Sequence, residues 1–223
     1  MAQFARELFA TLVAPARCSA CDAPVAYLAS FCRGCESTVE RADSRSASVV
    51  AAFHYCGAIA DAIRRLKYGN RPDLARPLGD LLSGALAPHV VPRDAVVVPV
   101  PLHPSRLAER GFNQSALVAV QVARRLGAIC APLALARIRD TPPQAALDRP
   151  ARIANVAQAF GVRQPERVHG RRVVLVDDVH TTGATLRACA DELLRSGAAE
   201  VVQAAVATVP TPDHQRDNER DTE

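Results

Sequence analysis

Residues 173–185 read Val-Val-Leu-Val-Asp-Asp-Val-His-Thr-Thr-Gly-Ala-Thr, and no other stretch of the 223-residue chain restricts its fold so tightly. Four consecutive apolar residues, Val173 to Val176, predict a strand buried on both faces, as in parallel sheets covered by helices. Asp177 and Asp178 stand where that strand is expected to end. Hydroxyls and one glycine follow, and then a helix with Leu186, Ala190, Leu193 and Leu194 on its inner face, ending at Gly197. A junction of this kind leaves backbone N–H groups without helical partners, so it can hold an anion. Its carboxylates can take the hydroxyls of a sugar or a hydrated Mg²⁺. A plainer account has a buried strand and a helix capped by Thr182. That account needs one hydroxyl, and it leaves the paired aspartates and three threonines around a glycine unexplained.

The rest of the chain supplies a setting for that junction. Val49 to Tyr55 has strand character, and Ala58 to Tyr68 spaces Ile59, Ile63 and Leu66 as a helix does. Pro72 opens another helix, with Leu74, Leu78, Leu81, Leu82 and Leu86 inward. Ala95 to Val100 predicts a buried strand bounded by prolines. Asn113 can cap a helix running to Leu126, which Gly127 can stop. A weaker strand is expected near Ala131 to Leu135, and a further one at Val201 to Val209. Strand, helix, strand in this order implies parallel pairing with right-handed crossovers. Ligands of such sheets sit beyond the carboxyl ends of the strands, where Asp177 falls.

Cys18 and Cys21 are two residues apart in knuckle spacing, as are Cys32 and Cys35, with ten residues between the pairs. Each pair fits a knuckle in which two thiolates chelate one ion, and two knuckles complete a tetrahedral Zn²⁺ site. An all-thiolate shell leaves no open position, so the expected role is structural. A redox pair or two disulfides are the alternatives. Cys56, Cys130 and Cys189 are scattered and read as core or half-buried small residues. The expected organisation is therefore a module with an N-terminal helix and zinc ribbon over residues 1–40, a linker at 41–48, the main α/β domain at 49–209, and an acidic tail at 210–223.

Aromatics are 4% of the chain and Trp is absent, so the core must be aliphatic. The tail holds five acidic and two basic residues, so the remainder carries +7 against a net charge of +4. That moderately basic balance suits a polyphosphate substrate or a weak nucleic-acid surface. The scarcity of aromatics argues against a stacking platform for bases. Of 27 cationic residues only Lys67 is a lysine. No apolar run reaches the length of about twenty residues needed to span a membrane. Leu8 to Ala16 faintly imitates a signal peptide, but Phe4, Leu8 and Leu12 also line one side of an amphipathic helix. A cytoplasmic protein is the expectation. Neither Gly-x-x-x-x-Gly-Lys nor Gly-x-Gly occurs, which excludes a mononucleotide P-loop and a dinucleotide fingerprint.

Two further stretches carry polar chemistry. Pro101-Leu102-His103-Pro104-Ser105-Arg106 and Arg110-Gly111-Phe112-Asn113-Gln114 follow the strand at 95–100 and read as a loop. Arginine there can grip phosphate oxygens bidentately. His103, flanked by prolines, can equally well pack. Downstream, Thr141, Gln144, Leu147, Arg152, Asn155 and Phe160 are spread through a Pro-rich polar loop, the composition of a lid over a crevice.

Taken together, the segment at 173–185 resembles the signature of type I phosphoribosyltransferases. The cysteine quartet, the Arg-Gly-Phe-Asn-Gln run, Gln-x-x-Leu followed by Arg-x-x-Asn-Val, and the Lys67-Tyr68-Gly69 turn resemble the ComF competence-protein family within that group. The likeness spans about residues 12–209. It implies an α/β fold with a type I phosphoribosyltransferase-like parallel sheet flanked by helices, and a small N-terminal zinc-ribbon module with four cysteine ligands. It implies binding of phosphoribosyl pyrophosphate with Mg²⁺. Asp177 and Asp178 would hold the ribose hydroxyls, Thr181, Thr182, Gly183 and Thr185 would cradle the 5′-phosphate with Ala184 lending its backbone N–H, and Val179 and His180 would belong to the same ligand-binding segment. Leu102, Arg106 and Arg110 would meet the pyrophosphate, and Gln144, Arg152 and Asn155 belong to the lid. The reaction implied is transfer of phosphoribosyl to an acceptor, with Asp177, Asp178, Arg106 and Arg110 as the catalytic set. No glutaminase-like cysteine stands at position 2. The family is linked to DNA uptake in natural transformation, so single-stranded DNA or a competence helicase is the alternative partner of a non-catalytic binding protein.

Overall fold

In the computed structural model, which describes residues 16–26, 28–43, 48–87, 89, 94–138 and 159–209, the elements follow one another as α1 (Arg33–Glu36), β1 (Val49–His54), α2 (Gly57–Tyr68), a 3-10 turn (Pro72–Leu74), α3 (Ala75–Leu86), β2 (Val96–Pro99), α4 (Pro104–Arg110), α5 (Gln114–Leu126), β3 (Ile129–Cys130), β4 (Leu135–Arg137), β5 (Phe160–Val162), α6 (Pro165–Val168), β6 (Arg172–His180), α7 (Ala184–Arg195) and β7 (Glu200–Thr208). Five strands form one sheet in the order β1-β7-β6-β2-β3, and every pairing in it is parallel. β4 and β5 form a separate antiparallel pair.

The apolar runs are explained by cover on both faces of this sheet. Val97, Val174, Val176, Ala204 and Val206 pack with α2, α3 and α5 residues such as Ile63, Leu78 and Val122. Their neighbours Val96, Val98, Val173, Leu175 and Ala205 pack on the other face with Leu186, Cys189 and Leu193 of α7, Val168 of α6 and Phe160 of β5. Successive strand residues point to opposite faces, so a strand buried on both has no place for polar alternation. Leu194, expected inward, is 47% exposed. It sits one residue past Leu193, too far round α7 for both to face the sheet.

The connections step across the sheet in opposite directions from β2 and β6. From β2 the chain moves outward to β3, and from β6 it moves the other way to β7. The crevice of such a sheet opens at this switch point, beyond the carboxyl ends of the two strands.

Several expectations change. Where a strand was foreseen near Ala131 to Leu135, a turn joins β3 to β4, and of those five residues Leu135 alone is in a strand, paired with Val162 of β5 rather than in the main sheet. The loop foreseen after β2 is helix α4, started by His103, whose side chain accepts from the Ser105 backbone N–H. Asn113 caps α5 through the Ser115 N–H, and Gly127 closes it. The segment read as a linker begins with paired residues. Arg41 bridges Phe53, Ala42 donates to Ala52 O, and His54 donates to Glu40 O. The expected N-terminal helix, the acidic tail, and Thr141, Gln144, Leu147, Arg152 and Asn155 lie outside the described residues. Phe160, foreseen in that lid loop, belongs to β5. No helix of the described residues is long and apolar enough to cross a membrane.

Candidate phosphoribosyl site and cysteine cluster

β2 pairs with β6 only as far as Pro99 opposite Val176, and the Val100 N–H adds a last bond to Val176 O. From Asp177 onward β6 has no strand on that side. It still pairs with β7 as far as His180 opposite Thr208. The strand therefore does not end before the aspartates, as expected from the sequence, but carries them. Both reach one cleft because their flank of the sheet is open. The cleft has a volume of about 870 Å³, and Asp177 and Asp178 lie beside Val179, Thr181 and Thr185 in its wall. Val100, Pro101 and Leu102 close it from the end of β2, and Arg106 and Arg110 reach it from α4.

The two carboxylates are held differently. Asp177 Oδ1 accepts from Ser115 Oγ and from the Asp178 backbone N–H, both at 2.9 Å. Burial pushes the Asp177 carboxyl up to about 7, with the adjoining Asp178 charge adding to the effect, while Lys67 and Ser115 work the other way. Asp178 is 4% exposed. Its Oδ1 meets Lys67 Nζ at 2.9 Å, and its Oδ2 is buried with no hydrogen-bond partner among the described residues. Burial works against the Lys67 ammonium, but the charge of Asp178 outweighs it, so the lysine pKa is raised. An acid oxygen without a donor, beside a cleft, fits a hydroxyl-bearing ligand.

The turn after β6 makes a small hollow of about 30 Å³, lined by Asp177 and by residues 179–186. α7 starts at Ala184 with Gly183 at its N-cap, and no side chain caps it, so Thr182 does not play that role. The first turn of α7, from Ala184 to Leu186, thus forms part of the hollow's lining. Gly183 has φ +75°, and a Cβ there would stand 2.8 Å from His180 Nε2. His180 in turn pairs through Nδ1 with Thr208 Oγ1 at 3.0 Å, and burial followed by the charge of Arg187 lowers its pKa.

Arg110 donates to Gln114 Oε1 at 2.5 Å, and its guanidinium lies 5.2 Å from the Tyr68 ring centre. Sequence reasoning missed Ser115, Tyr68, Asn70 and Arg137, all in or against the cleft wall. Ser115 gives no signal, being one polar residue in the first turn of a capped helix. Tyr68 and Asn70 flank Gly69 in the turn already singled out, so their neighbourhood was visible but not their direction.

The four cysteine Sγ atoms of Cys18, Cys21, Cys32 and Cys35 lie within 4.8 Å of one another, and Cys21 Sγ and Cys32 Sγ are 3.7 Å apart. Zn–S bonds of about 2.3 Å in a tetrahedron demand S···S separations of roughly 3.8 Å, so the donor set fits Zn²⁺. Burial opposes ionisation of Cys18, but the backbone N–H groups of Cys32, Cys21 and Ala20 overcome it and bring the thiol down to about 6. The first pair sits on a turn closed by the Arg17–Pro24 bridge. The second pair opens the single-turn helix α1, with Cys32 at its N-cap.

This fold and cleft define a phosphoribosyltransferase-type α/β protein, and the phosphoribosyl transferase domain family matches residues 113–222. The DNA utilization protein YhgH of Salmonella typhi is 35% identical over 69% of this chain and 68% of its own length. Competence protein F of Haemophilus influenzae is 30% identical over 82% of this chain and 81% of its own. Competence protein ComFC of Bacillus subtilis is 27% identical over 83% of this chain and 74% of its own. The chain belongs to the ComF family.

Proposed function

We propose that this protein binds phosphoribosyl pyrophosphate, as its Mg²⁺ salt, in the 870 Å³ cleft and transfers the phosphoribosyl group to an acceptor. The observation that carries this reading is the open flank of β6, where two acids and a hydroxyl-rich helix start face one cavity. The 5′-phosphate sits against the N–H groups of residues 181–185. Asp177 and Asp178 accept from the ribose hydroxyls. Arg106 and Arg110 lie on the far wall, where guanidinium groups meet the pyrophosphate. Mg²⁺ supplies charge neutralisation on the leaving diphosphate when the salt is bound.

The chemistry is displacement at C1. The acceptor's lone pair forms the new bond to C1 as the C1–O bond to pyrophosphate breaks, and pyrophosphate leaves with that electron pair. Positive charge grows on the sugar ring in between. Asp177 and Asp178, fixed before the ligand arrives, favour that charge without having to reorganise. Orientation of the two reactants supplies much of the remainder. The likeness to relatives named for competence and DNA utilization supports a role in DNA handling. Reduced thiols at the cysteine cluster suit the cytoplasm, and the cluster holds a structural Zn²⁺.

Losing one charge-assisted hydrogen bond costs roughly 1.5–3 kcal/mol, so each acid contributes about tenfold to a hundredfold in affinity. Asp177→Asn with Asp178→Asn is expected to abolish phosphoribosyl pyrophosphate binding in titration calorimetry while the circular dichroism spectrum stays native. Unchanged affinity would sink the reading. A second reading has one observation in its favour: Lys67 already pairs with Asp178, as in a site that senses or stores rather than turns over. In that case the protein is a phosphoribosyl sensor, or a partner of single-stranded DNA or a competence helicase. Pyrophosphate release on adding a metabolite extract supports the transferase. Binding without release, with DNA affinity falling steeply in salt, supports the second.

A further inference from the structure

Residues 65–71 form a staple between the two halves of the molecule. At one end Arg65 pairs with Asp22 and donates from Nη1 to Ser19 O at 3.0 Å. At the other end Arg71 Nη1 pairs with the same Asp22 at 2.7 Å. Between these two arginines, Lys67, Tyr68 and Asn70 all line the cleft. Ser19 and Asp22 belong to the first cysteine turn, and the Asp22 N–H bonds to Cys18 O at 3.0 Å. Asp22 holds a left-handed backbone at φ 63°, which places its carboxylate between the two guanidinium groups. The far end of α2 is fastened to the same region, since the Ala58 N–H donates to Thr38 Oγ1 at 3.0 Å.

We infer that Asp22 is a positioning residue for the cleft: by clamping Arg65 and Arg71 it sets the stretch that delivers Lys67 to Asp178. Both anchors of the stretch close on one carboxylate, so the last turn of α2 and the residues after it are held on either side of Lys67, Tyr68 and Asn70. Gly69 fits this tight path, because a Cβ there would lie 2.8 Å from Arg65 O. The cysteine region thus backs the wall that Lys67, Tyr68 and Asn70 form, as well as packing on the core. Two guanidinium groups on one acid also explain why the Asp22 carboxyl is held below its usual range, Arg71 first and Arg65 with it.

The chain has a single lysine, so protein grown on ¹³Cε-lysine gives one side-chain signal in a nuclear magnetic resonance spectrum. That signal reads the Lys67–Asp178 contact with no ligand present. Asp178→Asn provides the reference for a lost contact, and Asp61→Asn the control, since Asp61 pairs only with Arg64 on the outer face of α2 among the described contacts. Asp22→Asn is expected to move the lysine signal from its native position towards that of Asp178→Asn, and Arg65→Met to move it likewise. Asp61→Asn should leave it in place. Zinc content by metal analysis should stay at one per chain in Asp22→Asn, which separates positioning from collapse of the cysteine region. A lysine signal at the native position in both Asp22→Asn and Arg65→Met overturns the inference. A second arm rests on the phosphoribosyl reading of the cleft: Asp22→Asn should weaken phosphoribosyl pyrophosphate binding about tenfold. If the native protein does not bind that ligand, the proposed function fails, and the lysine signal still decides the role of Asp22.

Discussion

Asp177 carries a charge that the fold resists and a ligand would reward. Its carboxyl titrates at about 7 rather than at the 3.8 of an ordinary aspartate, chiefly through burial. The folded chain keeps this proton over a pH range in which the unfolded chain has lost it. The resulting stabilisation is complete below the unfolded value and disappears as pH rises through the folded one. Thermal unfolding of the ligand-free protein should therefore show a midpoint that falls between about pH 4 and pH 7, and Asp177→Asn should flatten that slope. Parallel profiles for the two proteins would count against the burial argument. Because ribose hydroxyls donate best to the ionised acid, affinity for phosphoribosyl pyrophosphate should rise across the same upper range. Lys67 answers the same problem for Asp178 by direct pairing.

At the scale of elements, the start of α7 decides whether the small hollow after β6 exists. Gly183 adopts a backbone that costs an ordinary L-residue about 1–2 kcal/mol, and a Cβ there would also press on His180 Nε2. Gly183→Ala should lower stability by about that amount and weaken ligand binding further by displacing the turn. If calorimetry finds affinity intact, the hollow does not grip the 5′-phosphate. This element was largely legible: the hydroxyls and glycine of 181–185 predicted a helix start, and Asn113 and Gly127 predicted the bounds of α5. What was not legible is that β6 runs on through both aspartates to His180. Strand length there is set by pairing with β7, and a partner so distant along the chain leaves no local mark. α4 was missed for a related reason. Its prolines signal a break, yet Pro104 sits in the first turn, where a missing N–H costs nothing.

At the scale of the molecule, the cysteine region is fused to the main core. Cys18 and Phe31 belong to the same apolar cluster as Ile59, Ile63 and Leu66. Removing metal from the cluster should then lower the unfolding midpoint of the whole protein in a single transition. A separate low-temperature step, with the main transition unmoved, would instead mean two independently folding parts. Spacing announced the cysteine quartet, since Cys-x-x-Cys has a local geometry. It said nothing of Asp22, whose two arginines come from positions 65 and 71.

The sequence by itself determined the buried strands, the polar turn after one of them, the acid pair and the cysteine quartet, because each depends on neighbours within a few residues. Only the tertiary structure decided which groups meet those acids: Ser115 for one and Lys67 for the other. Such pairings join residues dozens of positions apart, and their energy comes from burial and charge at a place that exists only once the sheet and its helices have closed.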